Sequence, residues 1–354
     1  MAWLKRHPLI LLTLFLPLAA LAQGLGWGAL WVFLCSALAV VPMAHYIGEA
    51  TEALAHHTGP RWGALLNATL GNAAELILTL AAINRGLVEL VKASITGSII
   101  GNLLLVLGLA MLLGGLRHGI QRFDRRQAGT NAVLLMLAVV SLAVPTFLSD
   151  ALGPPHSARV EGLTLGVAAA MLLLYLLYLL FAWQNQPAIT GLAPQEAVSP
   201  SPWGTKTALL VLAAATLGVV GASELLVGAV EQVVSQFPIS EAFLGVILIP
   251  VIGNVAEHLV AVQAALRNHM DLSVEIEVAS SLQIALLVAP VLVFISLAVG
   301  HPMLLSFNRF EMLALGVAIL VTALVSADGE SHWLEGAELL LVYFIFALAF
   351  FLHP

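Results

Sequence analysis

Residues 71–75 read Gly-Asn-Ala-Ala-Glu, and residues 253–257 read Gly-Asn-Val-Ala-Glu. The second stretch follows the first by 182 positions (257 minus 75), and the same shift aligns residues 71–108 with residues 253–290 without a gap. Paired leucines and alanines carry little information in a chain that is 60% hydrophobic. Two copies of Gly-Asn-x-Ala-Glu carry much more, and they predict an internal repeat.

The composition around these motifs is typical of a membrane protein. Asp, Glu, Lys and Arg make up 9% of the 354 residues, and the mean hydropathy is +1.01. Residues 7–48 and 278–308 contain no such charged residue. The sequence therefore predicts an all-α polytopic membrane protein without a sizeable soluble domain. Nucleic-acid binding is not expected, because the basic residues are scattered, and the lone Cys35 argues against a disulfide or a cysteine metal site.

About eleven transmembrane helices fit the apolar stretches. The predicted spans lie near residues 9–23, 27–56, 62–84, 88–114, 126–148, 160–183, 205–235, 242–266, 274–299, 304–326 and 334–352. We divide the chain into a first transmembrane helix (1–25), repeat one (26–184), a cytoplasmic linker (185–204) and repeat two (205–354). The apolar stretch up to Ala22 is interpreted as a retained anchor, with a cleaved signal peptide as the alternative.

The motif copies fall on the third and eighth predicted spans, which are five spans apart. An odd separation makes the two helices run in opposite directions through the membrane. The sequence thus predicts two inverted five-helix repeats plus one extra N-terminal helix. Inverted repeats with a binding site near the membrane midplane are a common construction of secondary transporters.

The basic residues predict how the spans are oriented. With the N-terminus in the cytoplasm, nine of the 13 Lys and Arg residues fall on the cytoplasmic side, as the positive-inside rule favours. We expect a multi-pass protein of the inner (plasma) membrane of the cell, with a cytoplasmic N-terminus. The residues assigned to the outside are Arg85, Lys92, Arg159 and Arg309.

Glu75 and Glu257 are the two carboxylates that these spans place deepest. Counted from the centres of their spans at 1.5 Å per residue, they lie about 3 Å and about 4.5 Å from the midplane. A bare carboxylate there is costly, so each must be protonated, paired or bound to a cation, and neither span offers a Lys or Arg at that depth. The alternative is that both are held neutral as hydrogen-bonding groups between helices.

The neighbours of the two carboxylates favour cation and proton binding. Asn72 and Asn254 lie three residues before each Glu on the same helix face, where an amide oxygen can bind a hard cation such as Ca²⁺. Gly71 and Gly253 allow each helix to open and present carbonyl oxygens. Pro250 is expected to help break the second helix.

The fourth and ninth spans add hydroxyl and amide groups. Ser98 and Ser280 are paired by the 182-residue shift, and Gln283 lies one turn beyond Ser280. We interpret all three as cation ligands or as supports of the ligands. The alternative is that each serine hydroxyl bonds only to its own helix.

For the other charged or titratable residues, the sequence leaves two interpretations open. Glu52 and Glu231 are candidates for an access path that hands cations or protons to the centre, or they are solvated helix ends. His258 is a candidate proton relay or a packed polar side chain. For the acids near the starts of the ninth and last spans, we favour solvated loop charge over attraction of cations to the cytoplasmic mouth. These acids are Asp271, Glu275, Glu277, Asp328, Glu330 and Glu335.

Eight stretches of the sequence are typical of one known family: Ala50–Ala55, Gly71–Ile77, Ser94–Ser98, Asn102–Gly108, Gly253–His258, Ser280–Leu286, Phe307–Glu311 and Trp333–Gly336. Through them the chain resembles the cation/proton exchanger family of the calcium/cation antiporter superfamily, over most of residues 40–354. The resemblance implies eleven helices, Ca²⁺/H⁺ exchange with Glu75 and Glu257 as central carboxylates, and access-path roles for Glu52 and Glu231. The chain is similar to bacterial calcium/proton antiporters, and the linker lacks the acidic regulatory segment of some eukaryotic members.

Electrostatics then predicts the mechanism. Two ionised carboxylates facing each other in a low dielectric must take up protons or share a divalent cation, so only neutralised forms should cross between access states. This predicts exchange of one Ca²⁺ for two protons, with the lipid bilayer as the medium and no resident cofactor. Na⁺/H⁺ or K⁺/H⁺ exchange at the same site is the alternative, and the sequence is compatible with a homo-oligomer. A membrane enzyme is a weaker alternative, because no His-Glu-x-x-His motif or nucleophile with a base is present. A channel is also a weaker alternative, because the inverted repeat is typical of transporters.

Overall fold

The computed structural model describes residues 8–58, 60–185, 203–237 and 239–352, so most of the predicted linker 185–204 lies outside the described residues. Within these ranges the chain is almost entirely helical. A 3₁₀ turn, Pro8–Leu14, leads into the first α-helix. The helices are α1 (Phe15–Gly24), α2 (Ala29–Thr58), α3 (Pro60–Leu70), α4 (Ala73–Asn84), α5 (Val88–His118), α6 (Arg125–Leu152), α7 (Ala158–Asn185), α8 (Thr205–Gln236), α9 (Glu241–Leu266), α10 (Met270–Val299), α11 (Arg309–Val325) and α12 (Trp333–Leu352).

The lengths and compositions of these helices confirm the all-α membrane fold. In the described part of the chain, eight helices are long and apolar enough to cross a membrane, namely α2, α5, α6, α7, α8, α9, α10 and α12. Leu9–Gly24 and α4 are shorter apolar helices. The eleven-span count stays a prediction. The main departure from the predicted spans is that residues 62–84 form two helices, α3 and α4, rather than one.

Helices α2 and α8, the first helices of the two predicted repeats, lie side by side and antiparallel. Near one end of the pair, Leu54 clusters with Ala208, and farther along, Val40 clusters with Ala222. Residue numbers therefore increase along α2 in the direction in which they decrease along α8. Small residues make this close pairing favourable in a membrane, because they let helix backbones approach each other. The antiparallel direction is the one that inverted repeats require.

Helices α5 and α9 cross at glycines. A Cβ atom at Gly97 would overlap the backbone of Val246, and a Cβ atom at Gly245 would lie 2.5 Å from that of Ala93. Only residues without a side chain permit so close a crossing. The crossing brings α5, with its serines, against the helix that carries the second Gly-Asn-x-Ala-Glu motif.

Three stretches of π-helix interrupt the long helices close to the motif residues. They are Gly101–Val106 in α5, Leu244–Leu248 in α9 and Ile284–Val288 in α10. The stretches in α5 and α10 occupy matching positions under the 182-residue shift, each beginning about one turn after Ser98 or Ser280. Such bulges redirect the following side chains and are frequent at functional sites.

A short pairing of two strands joins the predicted repeats at one end of the bundle. Strand β1 (Gln121–Arg122) pairs antiparallel with β2 (Glu330–Ser331). Arg122 Nε lies 3.0 Å from Glu330 Oε1, so this acid takes part in an ion pair across the two strands.

Candidate cation and proton site

The first motif lies at a helix break. Helix α3 ends at Leu70, α4 begins at Ala73, and Asn72 is the residue that caps α4. Because the Asn72 side chain does not bond to its own helix end, it is free to reach other helices. Glu75 lies in the first turn of α4, where the helix dipole favours negative charge. The opening expected at Gly71 is thus present.

The second motif lies on an unbroken helix, which corrects our expectation for Gly253. Helix α9 runs through Gly253, and a Cβ atom there would meet nothing within 4 Å. The irregularity lies earlier, in the π-helical Leu244–Leu248 just before Pro250. The proline therefore follows a local bulge and does not break the helix. The two copies of the motif therefore differ in backbone conformation, with a helix break at Gly71 and a continuous helix at Gly253.

Asn72 joins the two predicted repeats through both atoms of its amide. Its Nδ2 donates a hydrogen bond to Gln283 Oε1 at 2.8 Å. Its Oδ1 lies 3.1 Å from Ser280 Oγ. Asn72, Ser280 and Gln283 therefore form one hydrogen-bonded group.

Each carboxylate has a serine from the next long helix. The Ser98 hydroxyl donates to Glu75 Oε1, and the Ser280 hydroxyl lies 3.2 Å from Glu257 Oε2. Both pairs are separated by 23 residues, so they are the same contact in the two halves. Both serine hydroxyls thus contact a carboxylate on another helix and do not bond only within their own helices.

The two carboxylates lie in one polar cluster, with neutral oxygens around them. Asn254 lies beside Glu75, yet its amide nitrogen makes no hydrogen bond of ordinary length, and neither does Glu75 Oε2. A Cβ atom at Gly71 would lie 3.4 Å from Glu257 Oε1 and 3.5 Å from Gln283 Oε1. Because Gly71 has no side chain, the space next to the Glu257 carboxylate stays open.

The site has a closed edge and an open edge. Glu75 is 3% exposed, and Asn72, Ser98, Asn254 and Ser280 are buried as well. Glu257 keeps part of its surface accessible. Gly71 and Gln283 also keep partial exposure. An ion could therefore reach the site from the side of Glu257 and Gln283.

This arrangement offers oxygen ligands, and the structure describes no Lys, Arg or His side chain paired with either carboxylate. Nor do three or more His, Cys, Asp or Glu side chains come together there as metal ligands. A cation would be held by two carboxylates with amide, hydroxyl and carbonyl oxygens, which is a donor set that hard cations prefer.

The candidate relay and access residues lie apart from this centre. His258 is buried, and a ring nitrogen lies 3.0 Å from Asn102 Oδ1 in the π-helical part of α5. It is thus bonded to an amide and not to a carboxylate. Glu52 and Glu231 are exposed at opposite ends of the antiparallel pair α2 and α8. Since Glu52 lies level with about residue 210, the two acids are separated by about 31 Å along the pair.

Glu277 corrects the reading of solvated loop charge. Helix α10 begins at Met270, earlier than the predicted span, so Glu277 lies two turns inside it and is 1% exposed. Neither of its carboxylate oxygens has a hydrogen-bond partner. Asp271 is exposed and Glu275 is partly buried, so the loop-like reading holds best for Asp271. Only a predicted span that begins near Met270 would have placed Glu277 inside the helix.

Comparison with known proteins adds independent evidence. The family described as sodium/calcium exchanger protein matches residues 28–184 and 207–352. A Ca²⁺/H⁺ antiporter of Synechocystis sp. is 44% identical over 99% of this chain and 98% of that protein. The Ca²⁺/H⁺ antiporter ChaA of Bacillus subtilis is 41% identical, covering 97% of this chain and 98% of that protein.

A solved structure agrees with the fold. The structure of native YfkE superimposes with a TM-score of 0.85 at 40% sequence identity. The match covers 97% of this chain and 99% of that one. The helix arrangement around the two motifs is therefore shared with a structurally characterised protein.

Proposed function

The chain belongs to the sodium/calcium exchanger protein family, and on that premise we propose that it exchanges Ca²⁺ for protons across a membrane. Glu75 and Glu257 would hold the transported cation or the protons by turns. The relatives named Ca²⁺/H⁺ antiporters match along nearly the whole chain, which favours Ca²⁺ over Na⁺ or K⁺ as the exchanged cation.

One observation carries the proposal. Two carboxylates on different helices lie in one polar cluster, each beside a serine at the same 23-residue separation, and no ion pair of the described residues neutralises either of them. Neutralisation must therefore come from outside the chain, as protons or as a cation. A divalent cation and two protons supply the same charge.

The exchange follows from the cost of charge in a membrane. An empty, doubly ionised site would place two like charges in a medium of low dielectric, which is strongly unfavourable. Protonation of both carboxyl groups or binding of one Ca²⁺ removes this cost. Only these two loaded forms can move between the access states, so one Ca²⁺ is exchanged for two protons.

The neutral ligands help to select the ion. Ca²⁺ takes six to eight oxygen ligands in a flexible geometry. The amide oxygens of Asn72, Asn254 and Gln283 and the two serine hydroxyls can complete such a shell around the carboxylates. The ion would replace the Asn72 Nδ2–H group at Gln283 Oε1 and the Ser280 hydroxyl at Asn72 Oδ1. Breaking the bond between the predicted repeats would thereby couple cation binding to their relative movement.

The experiment is transport by the purified protein in proteoliposomes. Vesicles with an imposed pH difference should take up ⁴⁵Ca²⁺ against its gradient, and uptake should stop when a protonophore removes the pH difference. Parallel runs with Mg²⁺, Mn²⁺, Na⁺ and K⁺ test selectivity through cation-dependent proton flux. Proton flux with Na⁺ or K⁺ but not with Ca²⁺ would support the alternative function instead.

We further propose the plasma membrane as the location, with the N-terminus in the cytoplasm. The excess of Lys and Arg on one side supports this orientation. Asp150 and Arg122 are both highly exposed and fall on opposite predicted sides. An impermeant thiol reagent applied to intact cells should label Asp150→Cys and leave Arg122→Cys unlabelled. The reverse result would invert the orientation.

A further inference from the structure

Glu277 is a buried acid that the exchange site does not use. It is 1% exposed, both of its carboxylate oxygens lack a hydrogen-bond donor, and no ion pair of the described residues includes it. An ionised carboxylate without a partner is among the most costly groups to bury. In this conformation Glu277 is therefore a neutral carboxylic acid that holds a proton.

Glu277 lies next to the proposed cation site. On α10, Glu277 lies one turn before Ser280, whose hydroxyl contacts Glu257. Glu257 lies near enough to Glu277 for the charges of the two carboxylates to interact. The two acids make no hydrogen bond with each other, and Glu277 is three residues from Ser280. It is therefore next to the cation site without being one of its ligands.

Glu277 belongs to a file of polar residues on one face of α10. Ser273, four residues earlier, is fully buried and its hydroxyl also lacks a partner. Residues 273, 277 and 280 follow the four- and three-residue spacing of one helix face. This face runs from the start of α10, where His269 is exposed, inward to Ser280 beside Glu257.

The equivalent helix has no such file. Under the 182-residue shift, Ser273 and Glu277 correspond to Val91 and Ile95 of α5, which are buried and apolar, whereas Ser280 corresponds to Ser98. The polar file is therefore present in one half only. Because equivalent helices run in opposite directions, it leads to one side of the membrane, the side of the loop between α9 and α10.

We propose that Glu277 is a proton relay between Glu257 and that side of the membrane. The inference rests on the proposed Ca²⁺/H⁺ exchange. The O–H bond of the Glu277 carboxyl breaks as an O–H bond forms on ionised Glu257, after its cation has left. The Glu277 carboxylate then takes its next proton from water at the start of α10. Since the proton only passes through Glu277, the ratio of two protons to one Ca²⁺ is unchanged.

The test separates proton-coupled transport from movement of Ca²⁺ alone. In proteoliposomes with equal pH on both sides, exchange of ⁴⁵Ca²⁺ for unlabelled Ca²⁺ requires no proton transfer. Uptake driven by a pH difference requires it at every turnover. Glu277→Gln keeps the neutral shape and size of the protonated acid but cannot release a proton. We expect it to slow pH-driven uptake at least about tenfold and leave Ca²⁺/Ca²⁺ exchange within about twofold.

Two further variants make the result specific. Glu277→Asp retains a carboxyl group and should recover part of the pH-driven rate. Glu275→Gln changes a partly buried acid about 200° around the same helix and should leave both rates unchanged. The pH difference that just balances a given Ca²⁺ gradient should be the same in Glu277→Gln and in the unmodified protein.

The outcomes are distinguishable. Equal loss of both rates in Glu277→Gln would mean a structural role and would overturn the relay, as would an undiminished pH-driven rate. If the unmodified protein shows no proton-coupled Ca²⁺ uptake, the proposed function fails first. If it does and Glu277→Gln matches it, only the relay fails.

Discussion

Asn72 Nδ2 donates a hydrogen bond to Gln283 Oε1 at 2.8 Å, and these two residues are 211 positions apart in different predicted repeats. The bond exists because the helix break at Gly71 frees the Asn72 side chain from its own helix. It forms at the edge of the cation site where Gln283 is partly exposed. The same two side chains thus link the repeats and offer oxygens to an ion.

Loss of the Asn72 amide oxygen should weaken Ca²⁺ binding. Asn72→Ala removes one of the oxygens that would hold the ion, and the loss of such a polar partner costs about 1–3 kcal/mol. We expect an apparent Ca²⁺ affinity lower by about tenfold or more in ⁴⁵Ca²⁺ uptake. Gln263→Ala, which removes an exposed amide from α9, is the matched control and should leave the affinity unchanged.

A double-mutant cycle tests the coupling itself. If Asn72 and Gln283 act through their mutual bond, Asn72→Ala combined with Gln283→Ala should cost less than the sum of the two single changes. Additive losses would indicate that the two amides act independently.

The two motif glycines should respond differently to alanine. A Cβ atom at Gly71 would overlap Asn67 O at 2.8 Å and would contact Glu257 Oε1 at 3.4 Å, whereas a Cβ atom at Gly253 meets nothing within 4 Å. Overpacking of this kind costs about 1–3 kcal/mol. Gly71→Ala should reduce the initial rate of pH-driven Ca²⁺ uptake about tenfold, and Gly253→Ala should change it less than about twofold. Equal effects would contradict the assigned difference between the two backbones.

The crossing of α5 and α9 should control stability. Gly97→Ala would force the Val246 backbone to move, while Gly101→Ala, on the same helix, adds a methyl group to open space. Thermal unfolding in detergent should show a lower Tm for Gly97→Ala by at least about 2 °C. The Tm of Gly101→Ala should stay within about 1 °C of the parent protein. An unchanged Tm for Gly97→Ala would count against the close crossing.

Competition between protons and Ca²⁺ gives the pH dependence. If both occupy the same two carboxyl groups, lowering the pH raises proton occupancy, so more Ca²⁺ is needed for half-maximal binding. In the limit where two protons leave per ion, the apparent Kd rises about 100-fold for each unit by which the pH falls. Equilibrium ⁴⁵Ca²⁺ binding between pH 6 and pH 8 measures this slope. A Kd independent of pH would exclude shared sites.

The sequence predicts the centre of the site better than its surroundings. Glu75, Glu257, Ser98 and Ser280 are found together as expected because the repeat itself doubles each contact. The expected opening of the helix at Gly253 was wrong, since identical residues take different backbone conformations when the packing around them differs. A Cβ atom at Gly71 would contact Glu257 Oε1, whereas one at Gly253 would meet nothing within 4 Å.

The burial of Glu277 shows where hydropathy fails. Asp271, Glu275 and Glu277 lower the local hydropathy. The predicted span therefore began at residue 274, and Glu277 lay near its first residue. The structure begins α10 at Met270, because packing against neighbouring helices stabilises a turn that composition alone disfavours. The roles of Glu52 and Glu231 in an access path stay predictions, with both acids exposed at opposite ends of α2 and α8.

The most direct measurement is pH-driven ⁴⁵Ca²⁺ uptake by Glu75→Gln and Glu257→Gln in proteoliposomes, beside the unmodified protein. Glutamine keeps the size and the hydrogen bond from serine but removes the charge that either protons or Ca²⁺ must neutralise. The shared-carboxylate mechanism predicts uptake in the unmodified protein and its loss in both variants, with unchanged Tm in detergent as evidence that they fold. Near-normal uptake by either variant would contradict it.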